Sequence, residues 1–168
     1  MKIFKEEQRF NQVWLIILIA VCALLSISVI LISYFKATNT TSHLELFTTI
    51  GMILLVSGLI FLFKLNTQID EKGIHYQFSP FHWSLKLIEW QDIDKAYVRK
   101  YNALNEYGGW GLKGGALWNS AKGKAINVSG DIGIQLELKN GKKLLIGTQQ
   151  HDNAKSVLTH YQTKINAT

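Results

Sequence analysis

Two long uncharged runs constrain the fold of this chain more than any other feature. Residues 13–35 contain no charged side chain across 23 positions, and residues 46–63 contain none across 18. As α-helices these runs would extend about 34 and 27 Å, close to the roughly 30 Å hydrocarbon thickness of a bilayer. A helix satisfies its own backbone hydrogen bonds in lipid, so the runs predict two membrane-spanning helices. The alternative, two buried helices of a soluble core, is disfavoured because neither run has a polar face.

The basic residues beside the runs predict their orientation. Lys2, Lys5 and Arg9 precede the first run, whereas only Lys36 lies in the connection between the runs. Positive charge is retained on the cytoplasmic side. We therefore expect a multi-pass inner-membrane protein with both termini cytoplasmic. Its predicted parts are an N-terminal segment 1–12, helices 13–35 and 46–63, an external loop 36–45 and a cytoplasmic domain 64–168.

Small residues in the second run raise a packing question. Gly51 and Gly58 lie seven positions apart, so they share one face of the predicted helix. Such a face allows close approach of another helix. That helix is either the first helix of the same chain or a helix of a second copy, and the sequence leaves both open.

After residue 64 the pattern changes to short alternating segments that are typical of strands. Asn140-Gly141 between two of them is a strong hairpin signal. The last segment has apolar residues at helical spacing, at positions 154, 157, 158, 161 and 165. The sequence thus predicts six or seven antiparallel strands forming a small barrel that is closed by a helix. The predicted strands are 65–70, 74–79, 84–90, 94–101, 125–130, 132–139 and 142–148, and the predicted helix is 153–165.

Three motifs in this order resemble a known family. They are the D-x-x-G-I hairpin at 70–74, the Tyr-Gly-Gly-Trp-Gly segment at 107–111 and the final hairpin from Asn140 to Thr148. Together they resemble the bacterial PH-like (pleckstrin-homology-like) domains attached to membrane helices, over roughly residues 64–165. The resemblance implies a membrane helical hairpin followed by a mainly β domain, a bent antiparallel barrel capped by a C-terminal helix. It also implies a binding scaffold without catalytic chemistry.

The segment GWGLKG, residues 109–114, matches the G-x-G-x-x-G pattern of dinucleotide-binding loops. That chemistry needs a helix after the glycines, whose N-terminus meets the pyrophosphate. The residues that follow have no helical periodicity and are broken by Gly123. We therefore expect no nucleotide and no other cofactor here.

The glycine-rich segment has two remaining interpretations. In the first, Trp110 packs against the domain and the flanking glycines let the chain fold tightly around it. In the second, the segment is an exposed apolar surface that binds a partner. The candidate partner-binding residues are Tyr107, Gly108, Gly109, Trp110, Gly111, Leu112, Lys113 and Trp118.

Basic residues also concentrate near this segment. The candidate lipid-surface residues are Lys95, Arg99, Lys100, Lys122 and Lys124. Beside an anionic leaflet each such residue contributes about 1 kcal/mol of binding. The alternative is a solvated face that keeps the domain soluble. The modest charge beside a bilayer argues against nucleic acid as a partner.

No set of residues suggests catalysis or metal binding. The histidines lack a close-spaced ligand pattern, and the single cysteine, Cys22, lies in the first apolar run. Asp92 and Asp94 are expected to be turn formers between strands. We therefore expect a non-enzymatic, membrane-anchored binding or scaffolding module that docks another membrane protein or a second copy. The alternatives are a sensor of anionic lipid and a non-catalytic subunit of a membrane enzyme or transporter.

Overall fold

The computed structural model describes residues 2–36, 42–114 and 123–166, with the side chains of all but the last of these. The chain divides into two compact units. One unit is the helical segment 10–63, and the other combines residues 1–9 with residues 64–168. The expected loop 36–45 falls partly outside the described residues. Trp118 and Lys122 lie wholly outside them.

The helical unit contains helix α1, Val13–Lys36, and helix α2, His43–Leu59, which continues as a short 3-10 helix to Leu62. By length and composition both are able to cross a membrane, and none of their residues is buried within the structure. Helix α2 begins three residues earlier than expected because Ser42 caps it, accepting a hydrogen bond from the Leu44 amide. The two helices indicate a membrane location.

Gly51 and Gly58 do not form the contact between α1 and α2. A Cβ built on either glycine would have no neighbouring atom within 4 Å. At the connected ends of the helices, the Tyr34 hydroxyl lies 2.7 Å from Nδ1 of His43. Packing within the chain, the first interpretation of these glycines, is therefore wrong.

In the second unit the described residues form two sheets. Sheet A has four antiparallel strands in sequential order. They are β1 Phe4–Arg9, β2 Lys64–Ile69, β3 Gly73–Ser79 and β4 Lys86–Glu89. Sheet B has five strands in the order β5-β8-β9-β7-β6. They are β5 Ile93–Lys100, β6 Gly111–Lys113, β7 Lys124–Asn127, β8 Ile132–Leu138 and β9 Lys143–Gly147.

The sheets correct the expected barrel. Among the described strands no ladder joins sheet A to sheet B, so the sheets are not closed into a barrel. The strands are also not all antiparallel, because β7 runs parallel to β9. The Asn140-Gly141 hairpin places β9 antiparallel to β8. The other edge of β9 pairs with β7, which comes earlier in the chain and runs in the same direction as β9.

The N-terminal segment 1–12, expected to stand apart from the domain, contributes strand β1 to sheet A. β1 pairs with β2 from Phe4 opposite Ile69 to Arg9 opposite Lys64. Its inward positions are Phe4, Glu6 and Gln8. Two of these three are polar, so the strand has no apolar alternation that sequence reasoning could detect.

Two inward side chains of β1 join it to the end of sheet B. The Glu6 carboxylate accepts hydrogen bonds from the Thr148 hydroxyl at 2.6 Å and from the Gln149 amide at 2.8 Å. The Gln8 amide group donates to the Gly147 carbonyl at 2.7 Å. Glu6 and Gln8 are nearly buried, so these bonds form where water cannot replace them easily.

The chain ends in helix α4, His151–Asn166, which packs on β5 and on the 3-10 turn Trp90–Asp92. The Tyr161 ring stacks on the Trp90 ring at a centroid distance of 5.3 Å. The predicted apolar face of this helix is confirmed, because all five of its residues are buried. They are Ala154, Val157, Leu158, Tyr161 and Ile165.

Candidate functional site

The glycine-rich segment covers one face of sheet B. Ala125 on β7 and Leu145 on β9 are paired in register, point to this face and are buried. Tyr101 and Ala103 pack against them, with Tyr107 and Trp110 at the edge of the same cluster. We call this cluster the outer core. The connection from β5 to β6 therefore supplies the apolar cover that this face of the sheet requires.

A short helix, α3, Ala103–Tyr107, positions the tyrosine of this connection. The Asn102 side chain accepts a hydrogen bond from the Asn105 amide, and the Glu106 carboxylate accepts one from the Asn102 amide. Both caps satisfy helix N-terminal groups. At the other end Gly108 adopts φ 71°, the left-handed conformation that glycine favours at a helix C-terminus.

The described segment after α3 forms a strand. Gly111–Lys113 forms β6, which pairs with β7. The Gly111 amide donates to Oδ1 of Asn127 at 2.9 Å. A dinucleotide loop would need a helix N-terminus after these glycines. Among the described residues, β6 precedes the gap at 115–122 and β7 follows it.

Trp110 turns inward. Its indole ring packs against the outer core, and its Nε1 donates to the Gly130 carbonyl at 3.3 Å. This is the contact that the packing interpretation of the segment requires. Leu112 and Lys113 lie on β6, and Leu112 remains exposed.

Asn127 links the segment to the outer core. It is fully buried, and its amide nitrogen donates to the Tyr101 hydroxyl at 2.9 Å while its oxygen holds Gly111. Burial raises the pKa of Tyr101 and of Tyr107, so both phenols stay neutral across the physiological range.

Arg99, a candidate lipid-surface residue, is engaged within the domain. Its guanidinium forms a two-point ion pair with Glu106 at 2.8 and 3.2 Å and contacts Gln135 and the Tyr107 hydroxyl. Burial acts to lower its pKa, but hydrogen bonds and charge from Glu106 raise it. Through Glu106, Arg99 holds α3 on the sheet. Because only 26% of its side chain is exposed, Arg99 is poorly placed to contact a lipid headgroup.

The described basic candidates do not form one cluster. Lys95 and Lys124 are at one end of sheet B, and Lys100 is at the other. Three strand spacings separate β5 from β7, so Lys95 and Lys124 are about 14 Å apart across the sheet. Lys95 also lies 4.0 Å from the Glu137 carboxylate. Lys100 and Lys124 are exposed.

Within the described part of the chain, no group of three or more His, Cys, Asp or Glu side chains is arranged to hold a metal ion. His75 and Asp70 form a pair at 3.0 Å. Burial acts to raise the pKa of Asp70, but hydrogen bonds from the Lys72 amide, Gln68 and His75 lower it below its usual value. Asp92 lies in the 3-10 turn before β5 and Asp94 in β5 itself, both exposed.

Sequence reasoning assigned no role to the connection between β3 and β4. Phe81, Trp83 and Leu85 lie there as large apolar side chains that are exposed outside the helical unit. The available signal was the aromatic content of the segment Pro80-Phe81-His82-Trp83, which lies between two predicted strands.

The chain matches no family model, no curated protein and no solved structure. Its function must therefore be argued from its own residues.

Proposed function

We propose that the chain is a membrane-anchored binding module, without catalytic activity, that docks a partner protein or a second copy at the inner face of the cytoplasmic membrane. We further propose that its β domain is PH-like. The arrangement of two mainly antiparallel sheets followed by a packed C-terminal helix supports this fold. The open sheets, the added strand β1 and the parallel β7–β9 pair are departures from the pattern that the resemblance implies.

The pairing of β1 with β2 supports the proposed topology. β1 precedes the two apolar helices and β2 follows them. Strands that share a ladder must be on the same side of a bilayer, and this supports a helical hairpin that crosses it twice. The basic residues Lys2, Lys5 and Arg9 favour the cytoplasm for that side.

The observation that carries the docking proposal is a pair of exposed leucines, one on α3 and one on β6. Leu104 is 63% exposed on α3, which Arg99 and Glu106 hold on sheet B. Leu112 is exposed on β6, an edge strand of sheet B among the described strands. An edge strand offers backbone groups for pairing with another chain. Burying a leucine against a partner contributes about 1.5–3 kcal/mol.

Site-specific photo-cross-linking tests this proposal in the full-length chain in its native membrane. A photoreactive phenylalanine analogue would replace Leu104 or Leu112, and Lys142 in the exposed β8–β9 hairpin would be the matched control. We expect a discrete adduct from positions 104 and 112 and none from 142. An added mass near 19.1 kDa would identify a second copy, and another mass a different protein. Absence of a discrete adduct at both leucines would contradict the proposal.

Anionic-lipid sensing is the second candidate, because Lys100 and Lys124 are exposed. If they meet headgroups, hydrogen exchange around both should be slower in nanodiscs with anionic lipid than in neutral ones. High salt should remove the difference, since screening weakens exposed charges. Lys100→Gln with Lys124→Gln should also remove it while leaving cross-linking at position 104 unchanged. An exchange pattern that is identical in both lipids would exclude this candidate.

A further inference from the structure

The β3–β4 connection, residues 80–85, carries the most exposed aromatic side chain among the described residues of the β domain. Trp83 is 96% exposed, and Phe81 and Leu85 in the same connection are exposed as well. We call this connection the aromatic loop. A soluble surface rarely leaves so much apolar area in one short segment without a partner.

The aromatic loop is held in shape by residues other than Trp83. The Phe78 amide donates to Nδ1 of His82 at 3.1 Å, and the His82 amide donates to the Phe78 carbonyl at 2.8 Å. The Gln77 side chain donates to the His82 carbonyl, and the Phe81 ring stacks on Phe78. Exposure of Trp83 is thus a feature of an ordered loop.

The chain itself limits how far this loop is from the apolar helices. The second candidate span ends at Leu62, so Lys64, two residues later, lies within about 7 Å of it. Lys64 pairs with Ser79, and paired residues in antiparallel strands are about 5 Å apart. The loop begins at the next residue. The aromatic loop therefore starts at the end of sheet A where the chain enters β2 after the second apolar helix.

This geometry points to a membrane-interface anchor: the aromatic loop places Trp83, with Phe81 and Leu85, among the lipid headgroups of the bilayer that α1 and α2 cross. Tryptophan prefers this region because its ring is apolar and its N–H finds polar partners. Lys86, exposed directly after the loop, suits the phosphate level. The inference rests on the membrane location in the proposed function, but not on any docked protein.

Site-directed spin labelling of the full-length protein in nanodiscs tests the anchor. The label would be placed at Trp83→Cys in a Cys22→Ser background, with Lys142→Cys as a water-exposed control. Trp83 is almost fully exposed, so its replacement leaves the fold intact. Compared with position 142, we expect more frequent collisions with oxygen and fewer with a water-soluble nickel chelate at position 83.

Two results would overturn the anchor. Nickel collisions as frequent as at position 142 would place the loop in water, and low collision rates with both reagents would mean that protein covers it. A label on native Cys22, in α1, separates the two proposals. Lipid exposure at Cys22 with water exposure at position 83 would contradict the membrane-interface anchor but not the membrane location. Cys22 reporting water would end the membrane location as well.

Discussion

At the scale of single residues, we expect the loss of the Asn127 side chain to destabilise the glycine-rich segment most. It is fully buried and bonds both Gly111 and Tyr101. Asn127→Ala leaves a buried amide and hydroxyl without partners, so we expect a loss of about 2 kcal/mol in the free energy of unfolding. Denaturant titration of the purified protein, followed by near-ultraviolet circular dichroism, measures it.

The exposed Asn105 on α3 is a matched control. Its replacement by alanine should change the free energy of unfolding by no more than about 0.5 kcal/mol. Equal losses in the two variants would contradict the role assigned to Asn127.

His82 should make the aromatic loop sensitive to acid. Burial lowers its pKa below the usual value, with a smaller contribution from the charge of Lys86. The unfolded loop therefore binds a proton before the folded loop does as pH falls. The stabilising contribution is complete above the ordinary histidine pKa of about 6.5 and is lost as pH decreases through that value toward the lower folded pKa.

Hydrogen exchange of peptides covering residues 76–84 measures this, with rates corrected for intrinsic pH dependence. We expect protection to decrease below about pH 6.5. In His82→Asn, an amide oxygen can still accept from the Phe78 amide but does not titrate. The variant should therefore keep its protection, and an identical acid dependence in both proteins would argue against His82.

Residue roles were predictable from sequence only where the neighbours in sequence decide them. The inward packing of Trp110 was one of two stated interpretations, and the helical face of α4 was identified from spacing. Arg99, in contrast, was proposed to face lipid because its partners were unknown. Glu106 is seven positions away and Gln135 is on another strand, so the network depends on the register of β5 with β8.

At the scale of elements, β1 depends on its inward polar side chains. Glu6→Ala removes a nearly buried carboxylate that accepts two hydrogen bonds from Thr148 and Gln149. Hydrogen bonds to charged groups are stronger than neutral ones, so we expect a loss of about 3 kcal/mol. Glu7→Ala, on the opposite face of the same strand, breaks only surface pairs with Arg9 and Lys64.

Glu7→Ala should lower the free energy of unfolding by at most about 1 kcal/mol. Chemical denaturation of both variants under the same conditions provides the comparison. A Glu7 variant as unstable as the Glu6 variant would show that the contacts of β1 with sheet B contribute little.

The entry into β7 depends on Gly123, a position that has no room for a side chain. Gly123 and Gly141 both have φ 79°, so alanine at either position costs about 1 kcal/mol in backbone conformation. A Cβ on Gly123 would also lie 2.2 Å from the Lys143 carbonyl oxygen, whereas Gly141 has open space. Gly123→Ala should therefore lose about 2 kcal/mol more than Gly141→Ala, because the parallel β7–β9 pair must separate locally.

Thermal unfolding followed by circular dichroism distinguishes the two glycine variants. Equal midpoints would mean that the parallel pair tolerates the displacement. The comparison is internal, since both substitutions share the same backbone conformation.

Elements were predictable where turn chemistry or periodicity is local. The Asn140-Gly141 hairpin and α4 were found for this reason. β1 was missed because the partners of its inward Glu6 and Gln8 are more than 130 residues away in sequence. α3 has only five residues, too few for a periodic signal, although Asn102 and Gly108 at its ends are typical caps.

At the scale of the whole molecule, the proposed topology predicts which parts of the chain share a compartment, because β1 pairs with β2. In a Cys22→Ser background, single cysteines at Lys5 and Lys142 should react with a membrane-impermeant maleimide only after cell lysis. A cysteine at Ser42, at the start of α2, should react in intact cells. If only one of positions 5 and 142 were labelled in intact cells, the result would be incompatible with the β1–β2 ladder.

The placement of the helices between β1 and β2 also has a consequence for synthesis. Residues 10–63 separate the two strands, so the ribosome completes β1 roughly 3 to 10 s before its partner, at about 5–20 residues per second. In the proposed topology, both helices reach the insertion machinery during that interval, while β1 has no partner strand. Insertion of one helix without the other would keep β1 from β2 and leave an exposed strand edge open to proteases. In the proposed topology, formation of the β1–β2 ladder therefore excludes chains in which only one of the two helices has crossed the bilayer.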